Sequence, residues 1–184
     1  EYSLLLENHI FKNNSHSIIF DYGGPNIGKS LHVGHLRTLN IGRSIYRINK
    51  IAGNDVTSDI HLGDWGMPVA LILCYIKKMN IKLSTLKHND LETIYPAATE
   101  LAENDISFYE EAKNISKKLN ENDEVLKKEW KIIYNVSVKN INELIHKLGH
   151  GFDWFYGESD VVKETKLVID DAKLKNKIVD DNGA

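Results

Sequence analysis

Apolar and polar positions divide the chain into regions of different rhythm. Across residues 16–22, Ile18, Ile19 and Phe20 form a continuous apolar run that stops at Gly23-Gly24-Pro25, the pattern of a buried strand followed by a turn. A helix is expected to begin near Ser30. From Leu31 to Lys50 there is no proline, and Leu36, Ile41, Ile45 and Ile48 recur mostly at three- and four-residue spacing. Gly53-Asn54-Asp55 closes that helix, Val56 to His61 reads as a second strand, and Met67 to Lys78 as a short apolar helix. The alternation of strand and helix argues for a parallel α/β sheet.

From about Asn80 the rhythm changes. No glycine occurs between Gly66 and Gly149, and the intervening segment is rich in Lys, Glu, Asn, Leu and Ile. It reads as helices, with Leu126, Trp130, Ile133, Ile141, Leu144 and Leu148 on one apolar stripe. Phe152 to Tyr156 then reads as a return to the sheet, followed by a charged helix over about Ser159 to Lys175. Ile178-Val179 has the look of a further strand beginning. The pattern predicts three parts: residues 1–79 as the first part of an α/β fold, 80–148 as a helical insertion, and 149–184 as a truncated return to the sheet. Because the chain opens at Glu1 without an initiator methionine and stops just after that apolar pair, it reads as an excerpt.

Composition narrows the chemistry. With 42% hydrophobic and 27% charged residues among 184, the chain has enough apolar surface to fold, which excludes intrinsic disorder. A net charge of −3 provides no general basic field, so any nucleic-acid partner must be held by a local patch. The Lys-rich positions of residues 113–139 are interleaved with acids and read as a solvated helical face. The one cysteine, Cys74, sits in the apolar run Leu71 to Tyr75, where burial is the expectation. No Cys/His spacing matches a closed zinc site, no membrane-spanning run occurs, and a reducing cytoplasmic setting is expected.

Two neighbouring motifs carry candidate chemistry. Gly23 to Ser30 matches the phosphate-binding pattern G-x-x-x-x-G-K-[ST] between a strand and a helix, which suggests a nucleotide kinase or ATPase. That chemistry needs a metal-holding aspartate at a strand end, and the nearest match, Asp170, lies in a charged helical stretch. Immediately after comes His32-Val33-Gly34-His35, two imidazoles three positions apart at a helix start. Free N–H groups and the positive end of the helix dipole favour a phosphate there. Gly34 removes a side chain, which would let a flat ring such as adenine approach the backbone. Two ordinary polar histidines in a first turn are the plain alternative.

These residues together carry a family resemblance. Phe20 to Arg37, with Pro25-Asn26-Ile27-Gly28-Lys29 and His32-Val33-Gly34-His35, resembles the nucleotide-binding loop of class I aminoacyl-tRNA synthetases, specifically the arginyl-tRNA synthetases. His61-Leu62-Gly63-Asp64-Trp65-Gly66 is similar to that family's second loop, and Phe152 to Asp160 to its strand after the helical insertion. The family commonly has alanine where Gly28 stands and proline where Ser30 stands, and these two departures create the kinase-like match.

The resemblance implies a Rossmann-like fold and the activation of arginine by ATP, with Mg²⁺ arriving on the nucleotide, followed by transfer to tRNA(Arg). It casts Lys29, His32 and His35 as the catalytic cations and donors, with Lys29 standing in for a lysine of the standard second signature. It places His32, Gly34, His35 and Asp64, with Trp65 nearby, on the ATP side, and Asp21 and Asn26 on L-arginine. The family's remaining parts, including a tyrosine and aspartate of the arginine pocket and an anticodon-binding domain, would follow Ala184. Two other readings remain open: the kinase-like phosphate loop, and a non-catalytic module that binds a partner through its helical insertion.

Overall fold

The computed structural model describes residues 16–179. The chain ends at Glu1 and Ala184, on which the reading as an excerpt rests, lie outside them. Three strands form one parallel sheet in the order β1-β2-β3: β1 (Ser17–Asp21), β2 (Asp55–Leu62) and β3 (Trp154–Gly157). The register pairs Ser17 with Asp55 through Asp21 with Asp59, and Asp59 with Trp154 through Leu62 with Gly157. The expected α/β class and parallel strands are therefore found. Ile178 and Val179 are in no strand.

The crossover from β1 to β2 is α1 (Val33–Ile51), and β2 leads into α2 (Met67–Lys78). Between α2 and β3 lie α3 (His88–Asn104), α4 (Ile106–Asn120) and the long α5 (Glu124–Lys147). After β3 a short 3₁₀ turn, Glu158–Val161, leads to α6 (Val162–Leu174).

Two apolar clusters hold these layers together. The larger surrounds α2, in which Val69 through Cys74 and Ile76 are all buried, as a helix apolar on every side must be. It packs against Leu91, Ile94 and Ala98 of α3, Phe108, Ala112 and Ile115 of α4, and Leu126 and Ile133 of α5. The smaller cluster covers the sheet: Ile60 and Leu62, alternate residues of β2, meet Ile141 and Ile145 of α5. Cys74 is fully buried as expected, its thiol 3.9 Å from the Phe108 carbonyl oxygen and pushed up to about 11, by burial above all.

The apolar positions that mark α1 as a helix are not the ones it buries. Leu39 and Tyr46 are its buried residues, whereas Leu36, Ile41, Ile45 and Ile48 are exposed, Ile48 by 63%. The apolar spacing does mark a helix, but that stripe is exposed, with Ile41 and Ile45 bordering an open cleft beside Phe20 of β1. Ile19 of the edge strand β1 is exposed as well, by 61%. Parallel sheets ordinarily cover both faces, and among the described residues nothing covers this side of β1.

Candidate functional site

The carboxyl ends of the three strands and the loops after them collect the candidate residues, as open parallel sheets commonly do. Asp21 ends β1, Leu62 ends β2, and Gly157 ends β3. Beyond β1 the chain continues pairing for one more step. The Ile27 N–H donates to the Gly63 carbonyl at 3.1 Å and the Gly63 N–H to the Pro25 carbonyl at 3.0 Å, which bridges Asn26 to Gly63. The loops after β1 and β2 are thus laced together, with the exposed Asn26 at the seam.

The helix after this loop begins later than expected. His32 is the N-cap of α1 and His35 its third residue. Their side chains cap the helix reciprocally: His32 Nδ1 accepts the Gly34 N–H at 3.1 Å, and His35 Nδ1 accepts the His32 N–H at 3.2 Å. The rings lie 4.1 Å apart at 50°. An Nδ1 that accepts leaves the proton of a neutral imidazole on Nε2, so both rings carry an Nε2–H donor at the positive end of the helix. Burial, then the neighbouring His32 and Lys29 charges, hold His35 below the usual imidazole range and favour that neutral form. The rings border a groove of about 400 Å³ with Leu36, Leu144 and Lys147.

Gly34 has a different role from the one its sequence position suggested. A Cβ there would stand 2.9 Å from Nδ1 and 2.8 Å from Cε1 of His32. The space read as an opening for adenine is occupied by the capping imidazole itself. Asp64 also departs from expectation. Its carboxylate is fully buried, accepts the Ser159 N–H at 2.9 Å and the Ser159 hydroxyl at 2.6 Å, and its carbonyl accepts the Trp130 indole N–H at 2.8 Å. A contact between that carboxylate and a nucleotide would first require this clamp to open. Trp65 donates to Asn120 at 2.7 Å, stacks edge-on against Trp130, and borders a cavity of about 820 Å³ with Glu158, Lys117 and Lys166.

The remaining candidates do not line the histidine groove. Lys29 faces α3 across a separate cleft of about 400 Å³. Asp21 is exposed and lies in register beside Asp59, whose carboxyl is pushed up by burial first and by the Asp21 charge second. Asp59, Ser137 and Ser159 escaped the sequence reading because single acids and serines carry no pattern. Among the described residues no group of three or more His, Cys, Asp or Glu could hold a metal ion.

The kinase-like reading of Gly23 to Ser30 does not match this geometry. A phosphate cradle needs free N–H groups in its loop and a helix that starts at its end. Here the Ile27 N–H is bonded to Gly63, the Gly28 N–H donates to the buried Ser137 hydroxyl at 3.0 Å, and the helix starts three residues after Ser30.

Comparison with known proteins agrees with the geometry. The family model described as tRNA synthetases class I (R), catalytic domain, matches residues 3–184. An arginine–tRNA ligase of Alkaliphilus oremlandii is 35% identical over 174 residues, covering 87% of this chain and 30% of that protein. One from Fusobacterium nucleatum is 37% identical over 177 residues, covering 90% of this chain and 31% of the relative. The crystal structure of arginyl-tRNA synthetase from Plasmodium falciparum superposes with a TM-score of 0.75 at 28% identity, over 95% of this chain and 30% of that one. This chain therefore spans about 30% of the length of these relatives. By its family match, its strand order and the paired imidazoles at the start of α1, the chain belongs to the class I tRNA synthetases (R), within their catalytic domain.

Proposed function

We propose that the chain supplies the first half of the active site of an arginine–tRNA ligase, with ATP, L-arginine and tRNA(Arg) as substrates and the cytoplasm as its setting. Mg²⁺ enters as part of the ATP substrate. Residues 80–148 act as a helical insertion in a catalytic fold that spans 1–79 and resumes at 149–184. The reciprocal His32/His35 cap is the observation that supports this reading most, since with both Nδ1 atoms engaged it leaves the two Nε2 positions of a helix N-terminus for a phosphate.

In this reaction the arginine carboxylate attacks the α-phosphorus of ATP and pyrophosphate leaves. No general base is needed, because an α-carboxyl with a pKa of about 3.3–3.7 is ionised near neutrality. The barrier lies in alignment and in the charge that accumulates on the phosphate oxygens. His32 and His35 donate to those oxygens through Nε2–H, and Lys29 adds a full positive charge. Asn26 contacts the bound amino acid, and Asp21 receives its cationic end with the support of Asp59.

The test is arginine-dependent ATP–pyrophosphate exchange, with tRNA present, by the complete gene product that carries this segment. Exchange that falls sharply in Lys29→Ala and His35→Ala supports the reading. Release of γ-phosphate in place of pyrophosphate would refute it. Residues 1–184 alone are expected to bind ATP weakly and not to charge tRNA.

A further inference from the structure

The loop before α1 is held from outside by one face of α3. The Ser30 hydroxyl is hydrogen-bonded to His88 Nε2 at 2.9 Å and to the Glu92 carboxylate. His88 Nε2 and Glu92 Oε1 are themselves 3.7 Å apart, one helical turn from each other. Tyr95 follows on the next turn, and the Lys29 ammonium lies 4.2 Å from its ring centroid. Spacings of four and then three residues put His88, Glu92 and Tyr95 on a single helix face. Two adjacent loop residues are thus gripped by three side chains from an element more than fifty positions further along the chain.

The serine, histidine and glutamate do not form a nucleophilic triad. That device needs the carboxylate on Nδ1, opposite the serine, to fix the imidazole as a base. Here both partners meet Nε2, and His88 Nδ1 is buried without a partner among the described residues. The arrangement grips the loop; it does not activate the hydroxyl. The Tyr95 ring restrains the ammonium while leaving its charge intact, as an aromatic face does and a carboxylate would not. An ammonium held in place but not neutralised is prepared for an anion before the anion arrives.

We infer that His88, Glu92 and Tyr95 are positioning residues that hold Ser30 and the Lys29 ammonium in readiness for a nucleotide's phosphates. The inference rests on the reading of Lys29 as a phosphate-facing cation. Its sequence basis is Ser30 itself, which supplies the hydroxyl that α3 grips.

The experiment uses the complete gene product that carries this segment, with ¹³C-labelled lysine, the Lys29 signals being assigned with Lys29→Arg. Ring current from Tyr95 shifts the Lys29 side-chain protons upfield. Tyr95→Phe keeps that shift, Tyr95→Leu abolishes it, and Ser30→Ala and Glu92→Ala diminish it, all without a change in the unfolding midpoint of Tyr95→Leu relative to Tyr95→Phe. In MgATP titrations Tyr95→Leu weakens binding by about two- to fivefold, and Tyr95→Phe does not. Absence of the upfield shift in the unaltered chain, or failure of Tyr95→Phe to retain it, overturns the inference. It is equally overturned if Lys29→Met weakens MgATP binding and Tyr95→Leu does not. If Lys29→Met leaves MgATP binding unchanged while the shift pattern is as stated, α3 does hold the lysine, and the assignment of Lys29 to the phosphates fails instead.

Discussion

Ser159 donates twice to Asp64, once from its backbone N–H and once from its hydroxyl, across 95 residues of sequence. The pair ties the loop after β2 to the turn after β3, so the two strand ends stay together although the helices α2 to α5 intervene. A second clamp works at the opposite end of β3, where one oxygen of Asp153 accepts both the N–H and the hydroxyl of Ser58 at 2.8 and 2.7 Å. Those bonds hold the Asp153 carboxyl below the usual range.

Removal of the Asp64 clamp tests its worth. Ser159→Ala deletes a hydrogen bond to a buried carboxylate and is expected to cost about 1.5–3 kcal/mol in urea denaturation. Asp64→Asn keeps an acceptor for the Ser159 N–H and gains a donor for its hydroxyl, so its cost is smaller. Burial raises the Asp64 carboxyl more than Ser159 lowers it. Ionised Asp64 is therefore disfavoured in the folded state, and its contribution weakens as pH rises from about 3.8 through the higher folded value. Asp64→Asn removes that dependence.

The histidine pair combines capping with the proposed chemistry, and two substitutions separate these roles. Asn is a strong N-cap and Gln suits the third helical position of a capping box. His32→Asn and His35→Gln should therefore retain the melting temperature, whereas His32→Ala should lose about 0.5–2 kcal/mol. All of these lack an imidazole Nε2–H. MgATP affinity of the complete gene product, followed by calorimetry, should fall about tenfold or more in each.

His150 predicts an acid-sensitive fold. It is buried at the end of α5, neither ring nitrogen has a partner among the described residues, and burial, Arg43 and Arg47 hold it below the usual imidazole range. The folded chain favours the neutral ring, so the unfolded chain binds more protons once the pH falls below about 6.5. Stability is complete above that value and is lost as pH falls toward the lower folded pKa. His35 acts in the same direction. Urea midpoints at about pH 7.5 and about pH 5.5 should differ less in His150→Phe than in the unaltered chain.

Gly42 sits inside α1, where alanine would ordinarily favour a helix by about 1 kcal/mol. A Cβ there would collide with the ring of Tyr22, which packs in turn on Phe152 with centroids 4.6 Å apart. Gly42→Ala is accordingly expected to destabilise by about 1–3 kcal/mol, read from the thermal or urea midpoint.

Except at Ile178-Val179, where the strand start it suggested is not found, local pattern was sufficient for the three strands of the sheet, the helices and their order, because strand and helix periodicities and glycine turns are properties of neighbouring residues. It also sufficed for the family, since three motif blocks in sequence are written in contiguous residues. The burial of Cys74 followed from the apolar run around it. What pattern could not show was which helix face meets the sheet. The stripe of Leu36, Ile41, Ile45 and Ile48 has the right period, but Leu39 and Tyr46 are the residues that α1 buries. Nor could pattern show that Gly34 makes room for an imidazole, that Asp64 is closed by Ser159, or that Lys29 and Ser30 are gripped by α3. Each of these depends on a partner brought close by packing, and proximity between distant residues exists only once the chain has folded.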